Sequence, residues 1–248
     1  METAYRAGRL TLGHFRSGVQ VRFKEDDTPV TAADREAEKL IRRRIERAYP
    51  GHAILGEEEG EKAAAGASHK WIIDPIDGTK AFIRGVPLYA VLIGLEIEDR
   101  IEVGVVYFPA LDEMVYAAAG CGCFCNGRRV RVSAVTELSG SAVSFTDSAS
   151  FERAGKRDAW ERLERATAYH PGWTDAYGHA LVATGRIEIM LDPFLNPWDG
   201  APFPVLLREA GGYFGDWSGR ETIYNDEGLS TSAALLPKVL ELLQRKEK

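Results

Sequence analysis

The stretch Trp71-Ile72-Ile73-Asp74-Pro75-Ile76-Asp77-Gly78-Thr79 holds the residues of this chain best suited to chemistry. Its three leading apolar residues stop at turn formers and read as a short strand buried on both faces. Asp74 and Asp77 follow, three positions apart, on backbone stiffened by Pro75 and freed at Gly78. Two carboxylates on rigid backbone are a seat for a hard cation. The same residues also read as a helix start with Asp77 or Thr79 as N-cap, and the stretch alone leaves both readings open.

Further acids stand at other predicted strand ends: Glu57 and Glu58 after Ile54-Leu55, and Asp199 after Trp198. Should these ends adjoin, four or five carboxylates meet at one edge, and cations are needed to offset their repulsion. Donors that are all oxygen, without His or Cys, favour Mg²⁺, with Mn²⁺ as a substitute, over Zn²⁺. Two such ions ~3.5–4 Å apart activate a water and clamp both ends of an in-line phosphoryl displacement. Taken singly, residues 57–59 read as a solvated loop and Asp199 as an N-cap. Their joint occurrence is what favours a metal.

The elements that must position these acids follow from periodicity. Helices are expected over 3–16 (Ala4, Ala7, Leu10 and Phe15 on one face) and 31–48, the latter opening on a capping-box-like Thr31-Ala32-Ala33-Asp34 and ending at Pro50-Gly51. Residues 19–23 alternate as a short strand, 24–29 form a polar loop, 53–55 a brief strand and 61–69 a surface loop. Strands at 88–97, 101–108, 113–118 and 121–125, with a hairpin at Asn126-Gly127, make an antiparallel meander. The later pattern is mixed: strands at 142–145, 186–192, 213–217 and 229–232, and helices at 151–166, 175–184, 200–210 and 237–243. Gly185 reads as the C-cap of the 175–184 helix, and Gly211-Gly212 ends the helix from 200. The expectation is one domain over 1–248 with two sub-domains, about 1–138 and 139–248.

Bulk properties limit the partners. The 248 residues are 45% hydrophobic and 27% charged, ordinary for a globular protein with a sizeable core. A net charge of −6 argues against a general nucleic-acid binder. No apolar run approaches a membrane span and the first residues do not read as a signal peptide. Three cysteines crowded into 121–125 are no disulfide framework, so a reduced, cytoplasmic protein is expected.

Asp34 in its Thr31-Ala32-Ala33-Asp34 setting, Gly56-Glu57-Glu58, Asp74-Pro75-Ile76-Asp77-Gly78-Thr79 and Trp198-Asp199 stand in the order and spacing of the inositol monophosphatase family, and Glu209-Ala210-Gly211-Gly212 also fits. The chain resembles that family from Lys24 to Gly212. The resemblance implies an α/β fold layered as an αβαβα sandwich, a homodimer, and Mg²⁺-dependent hydrolysis of a small phosphorylated metabolite by direct attack of water, without a covalent enzyme intermediate. It implies two or three Mg²⁺ ions, with Glu57, Asp74, the Ile76 carbonyl, Asp77 and Asp199 as ligands. Glu57 and Thr79 would ready the attacking water, Thr79 through a hydroxyl polarised by Asp34; a purely capping role for Asp34 stays open. The N–H groups of Gly78 and Thr79 would hold phosphate.

Within the family, Lys80-Ala81-Phe82-Ile83-Arg84-Gly85-Val86-Pro87-Leu88, Asp175-Ala176-Tyr177-Gly178 and Leu191-Asp192-Pro193 resemble the histidinol-phosphate phosphatase branch more than inositol phosphatases. Substrate binding would then extend to Thr174, Asp175 and Asp192, acids suited to a cationic amine or imidazole. Asp175 as a helix cap and Asp192 as a plain strand end are the competing readings. Histidinol phosphate is the first expected substrate and inositol monophosphate the second. Fructose bisphosphate and a nucleotide 3′-phosphate follow, with a non-catalytic metal-binding module last. Cys123 and Arg129 match the Cys-x5-Arg spacing of cysteine-dependent phosphatases, but a thiolate needs a strand–loop–helix cradle, whereas these residues alternate in a predicted strand with all three cysteines on one face. The five histidines are scattered and read as surface or structural.

Overall fold

Ile72 and Ile73 are neighbours in sequence and fully buried, yet they enter different cores. That follows from strand geometry, which sends successive side chains to opposite faces. The sheet that carries them is therefore covered on both sides, and each buried isoleucine contributes about 1.5–3 kcal/mol of transfer free energy.

The computed structural model describes residues 1–18, 21–23, 29–172 and 174–245. Residues 24–28 of the loop expected at 24–29, and the first residues of the strand expected from 19, lie outside them. The chain opens with helix α1 (Glu2–His14), a two-stranded pair β1 (Arg22–Phe23) and β2 (Pro29–Val30), and helix α2 (Ala32–Ala48). A larger sheet follows, from β3 (Ala53–Gly56), β4 (Gly60–Lys62) and β5 (His69–Asp77), then the short helix α3 (Thr79–Ile83), then β6 (Ala90–Ile97), β7 (Arg100–Phe108), β8 (Glu113–Ala118), β9 (Gly122–Cys125) and β10 (Arg128–Val130). Its order is β10-β9-β8-β7-β6-β5-β3-β4. The meander from β5 to β10 is antiparallel as expected, while β3 joins β5 in parallel.

The rest of the chain supplies β11 (Val143–Phe145), α4 (Ala149–Arg153), α5 (Arg157–Ala166), α6 (Ala176–Ala183), β12 (Ile189–Asp192), α7 (Pro197–Gly200), α8 (Phe203–Ala210), β13 (Gly212–Gly215), β14 (Gly228–Ser232) and α9 (Leu236–Gln244). Its strands form a second sheet, ordered β11-β12-β14-β13.

Three cores bind these parts into five layers. Ala4 of α1 and Ala37 and Ile41 of α2 pack on Ile54, Ile73 and Val91, on one face of the large sheet. Ile72, Leu92 and Val106 on its other face meet Ala180 of α6, Phe203 and Leu206 of α8, and Met190 and Phe214 of the small sheet. Ile189, Leu191 and Leu229 leave the far side of that sheet to pack on Trp160 and Leu163 of α5 and Val239 of α9. The result is the expected αβαβα sandwich.

Some boundaries differ from expectation for identifiable reasons. The helix expected over 151–166 is two, because Gly155 turns the chain at φ 67°. The helix expected from 200 begins at Phe203, after the separate turn α7 that Pro197 opens. The strand expected from 186 starts at Ile189 and all four of its residues are buried, so period-2 alternation could not mark its ends. Cys121 lies outside β9 and is exposed, whereas Cys123 is buried; the three cysteines do not share one environment.

Candidate metal and substrate site

Residues three apart in a regular strand point to opposite faces, so Asp74 and Asp77 would not meet on an undistorted β5. The strand is not regular there. Asp74 pairs with Leu92 and Asp77 with Ala90, so three steps on β5 are matched by two on β6. Pro75, which has no N–H to give to the ladder, lies inside this bulge. The extra residue resets the alternation, and both carboxylates turn to the face that also carries Ile72, toward the second sheet. Leu92 and Ala90 belong to the same interlayer core.

Asp199 arrives at this point from α7. Asn196 caps that turn in a reciprocal box, with its N–H and side-chain Nδ2 donating to Asp199 Oδ2 at 2.9 and 3.0 Å. Asp74 and Asp77 are tethered in the same way: Ile76 N–H donates to Asp74 Oδ1 at 2.9 Å and Ala176 N–H to Asp77 Oδ2 at 2.8 Å. One oxygen of each carboxylate is thus fixed by an amide, and the three groups bring ligand atoms within 4.8 Å of one another. Asp74 and Asp77 are only 2% and 9% exposed.

Burial, and then the charges of Glu57 and Asp77, push Asp74 well above the ordinary carboxylate range. Asp77 is raised by burial and by Asp175 and Asp199. Asp199 is pushed up to about 6 by burial against the opposing Asn196 hydrogen bonds. Without a cation these acids hold their protons more tightly than free carboxylates do. A hard divalent ion fits the site, because the donors are all oxygen, buried and pre-aimed.

Glu57 reaches the group through strand pairing. Gly56 pairs with Ile73, so the next residue of the β3 end comes beside Asp74, and Glu57 N–H donates to Ile73 O at 3.3 Å. The 57–59 loop is no free solvated turn. Glu38 of α2, fully buried, accepts from Glu58 N–H at 2.8 Å and Glu59 N–H at 3.0 Å, and Arg42 Nε donates to it at 2.8 Å. A Cβ on Gly56 would meet Glu38 Oε1 at 2.2 Å, so only glycine lets α2 come this close. Glu38 and Arg42 were not singled out from the sequence. Their signal was a charged i, i+4 pair beside the apolar positions Ala37, Ile41 and Ile45, where charges belong only if paired.

Gly78 stands between β5 and α3 at φ 77°, a conformation that favours glycine. Thr79 Oγ1 donates to the Ile76 carbonyl at 3.0 Å. Asp34 completes a capping box for α2, its Oδ2 accepting from Thr31 N–H at 2.8 Å and Thr31 Oγ1 at 2.6 Å, so Asp serves where Glu is usual. Asp34 Oδ1 is buried without a hydrogen-bond partner, and burial holds this carboxyl at about 6. The expected Thr79–Asp34 bond is not among the hydrogen bonds of the described residues.

Beside the acids opens a cavity of about 270 Å³, lined among others by Lys80, Asp147, Asp175, His179, Asp192 and Phe194. Asp175 precedes α6 at φ 41°, strained backbone for a residue with a Cβ, and its side chain makes no cap hydrogen bond. Its Oδ2 is buried without a partner, and burial followed by the Asp192 charge pushes it up to about 7. Asp192 ends β12, and its Oδ1 accepts from Thr146 Oγ1 at 3.3 Å. Thr174 is a correction: it does not line the cavity. Its hydroxyl is turned into the core beside Ser144 Oγ at 2.8 Å and Phe145 O at 3.3 Å. His179, read as surface or structural, is 1% exposed and does line the cavity. Cys123 is pushed up to about 12 by burial, the reverse of what a thiolate nucleophile requires.

Comparison with known proteins finds the family that the sequence resembles. The family model of the inositol monophosphatase family matches residues 1–248. A histidinol-phosphatase from Chlorobaculum parvum is 46% identical over 230 residues, 92% of this chain and 88% of that protein. An inositol-1-monophosphatase from Mesorhizobium japonicum is 32% identical over 97% of this chain and 92% of its own length. The crystal structure of the extragenic suppressor protein suhB from Bartonella henselae superposes with a TM-score of 0.92 at 30% identity, covering 99% of this chain and 97% of that one.

Proposed function

The chain belongs to the inositol monophosphatase family, whose members are phosphoric monoester hydrolases, and on that premise we propose that it is a Mg²⁺-dependent phosphatase acting on histidinol phosphate. The observation that carries the substrate is the acid-lined cavity next to the carboxylate group. Asp175 and Asp192 line one compact space beside Asp77 and Asp199, with Lys80 on its wall and Asp147 paired there with Arg153 at 3.2 Å. A substrate with an anionic phosphate at one end and a cationic amine and imidazole at the other is complementary to that arrangement, whereas a neutral polyol offers Asp175 and Asp192 no cationic group. The 46% identity to a histidinol-phosphatase supports the same choice.

Glu57, Asp74, the Ile76 carbonyl, Asp77 and Asp199 are the proposed metal ligands. Bound Mg²⁺ supplies positive charge to the phosphate oxygens and lowers the pKa of water. The chain's own groups do the rest. Glu57 orients the water that attacks phosphorus, and Thr79 accepts a proton from that water as it passes its own hydroxyl proton to Asp34. For this the Thr79 hydroxyl turns from the Ile76 carbonyl to the free Oδ1 of Asp34, an atom already buried and lacking a partner. Gly78 and Thr79 N–H groups hold the phosphate. Asp175 and Asp192 hold the leaving alcohol by its charged end, which makes the displacement unimolecular in effect. The three free cysteines fit a reducing compartment, and the cytoplasm is the proposed location.

The test is phosphate release from histidinol phosphate, inositol 1-phosphate and fructose 1,6-bisphosphate, each with and without Mg²⁺. Mg²⁺-dependent release with kcat/KM highest on histidinol phosphate is expected. A preference for inositol 1-phosphate would reassign the substrate, and equal rates without any divalent ion would remove the metal.

A further inference from the structure

A continuous hydrogen-bonded chain crosses the second sheet and ends on both recognition acids. Ser230 Oγ lies 2.7 Å from His179 Nδ1, and His179 Nε2 lies 2.9 Å from Asp192 Oδ2. Thr146 Oγ1 then donates to the other oxygen of Asp192 and accepts from Asp175 N–H at 3.0 Å. An ionised carboxylate only accepts, so the ring proton facing Asp192 belongs to Nε2, while Nδ1 faces the Ser230 hydroxyl. The ring is also packed, 4.8 Å from Phe203 and 5.3 Å from Phe214 between centroids. Ser230 is fully buried, so this Asp–His–Ser line has no exposed nucleophile.

We propose that His179 is a positioning residue: held in one orientation by Ser230, it fixes the plane of the Asp192 carboxylate so that the acid meets the ammonium or imidazolium of the substrate. The proposal rests on the cationic-substrate reading of the cavity. His179 grips one carboxylate oxygen and Thr146 the other, so Asp192 cannot rotate. Thr146 passes the same constraint to the strained backbone at Asp175. A preset carboxylate loses less rotamer freedom on binding than a free one, and its benefit is confined to ligands that carry a positive charge.

The test replaces His179 by Phe, which keeps the aromatic packing and removes both hydrogen bonds. For H179F the KM for histidinol phosphate is expected to rise ~10-fold, with kcat moving less than ~3-fold and KM for inositol 1-phosphate less than ~2-fold, since one hydrogen bond to a charged group is at stake. H179Q, whose amide nitrogen reaches the place of Nε2, is expected to recover KM to within about 3-fold of wild type, because a donor to Asp192 is restored. An unchanged KM in H179F, or an equal rise on both esters, overturns the proposal. Asp192→Asn separates the two levels. If it raises KM for histidinol phosphate and H179F does not, positioning alone fails; if it leaves that KM unaltered, the cationic-substrate reading fails and takes the proposal with it. Should H179F not fold, Ser230→Ala decides: a KM ratio between the two esters that stays at the wild-type value overturns the proposal, and a ratio raised ~2–3-fold upholds it, as expected for loss of one neutral hydrogen bond.

Discussion

The carboxylate shelf on β3, β5 and α7 and the recognition wall on β11, α6 and β12 share one cavity but are built by opposite means. The shelf is local. Asp74 and Asp77 are three residues apart and their aim is set by a bulge that Pro75 helps to make. Asp74, Asp77 and Asp199 are each fixed by an amide, and two of these three, Asp74 and Asp199, find theirs within three residues. The wall is long-range. Asp192 is fixed by His179 and Thr146, and His179 by Ser230, 51 residues further on. Local tethers survive any sequence change elsewhere, whereas a wall assembled across three strands changes with each of them. A shared chemistry with separable specificity is what such a division permits.

Breaking the shelf is expected to cost most. Asp77→Asn should lower Mg²⁺-dependent kcat/KM by about a thousandfold on every ester, since metal charge stabilisation is of the order of several kcal/mol. Circular dichroism and thermal melting should show the fold intact. Steady-state rates near wild type would remove Asp77 from the metal site.

Thr79→Ala is expected to lower kcat by ~100-fold with little change in KM, the signature of a group acting in proton transfer and not in ground-state binding. If instead KM rises and kcat holds, Thr79 belongs to phosphate binding only. The smallest and most selective effect belongs to the wall. Asp192→Asn should raise KM for histidinol phosphate ~10-fold relative to inositol 1-phosphate, as for one lost hydrogen bond to a charge. Parallel losses on the two esters, measured side by side, would make Asp192 structural.

The same contrast explains how much was legible in the sequence. The layered fold and the acid motif could be read, since both are carried by short contiguous strings and by the resemblance they support. The parity problem at Asp74 and Asp77 could not be resolved by spacing alone; it needed the pairing with Leu92 and Ala90. Glu38 showed only as a charged i, i+4 pair with Arg42, and its hold on the 57–59 loop was hidden because the amides of 58 and 59 are some twenty residues away. His179 sits among Ala176, Ala180 and Ala183 on a helix with no polar pattern, so nothing local distinguished a cavity histidine from a core one. Thr174 was misplaced by one step of side-chain direction: its neighbour Asp175 faces the cavity and it faces Ser144.

The central claim is that the shelf acids are brought together to hold a cation, and linkage between protons, Mg²⁺ and stability tests it without any substrate. Asp199 at about 6 and Asp175 at about 7 lie above the ordinary 3.8 of an unfolded Asp, and Asp74 and Asp77 are raised in the same direction. A raised acid binds its proton more tightly in the folded state. Its stabilising contribution is therefore full below about pH 4 and is lost as pH rises through about 6 to 7, when the buried acids ionise against one another. Mg²⁺ binds the ionised form and should restore what is lost. In thermal melts of metal-free protein at pH 5 and pH 8, with and without added Mg²⁺, the expected result is a Tm increase on adding Mg²⁺ that is several degrees larger at pH 8, as for roughly 1–2 kcal/mol of linked stability. A Tm that Mg²⁺ leaves unmoved at pH 8, or moves equally at both pH values, would contradict the claim that these carboxylates form a metal site.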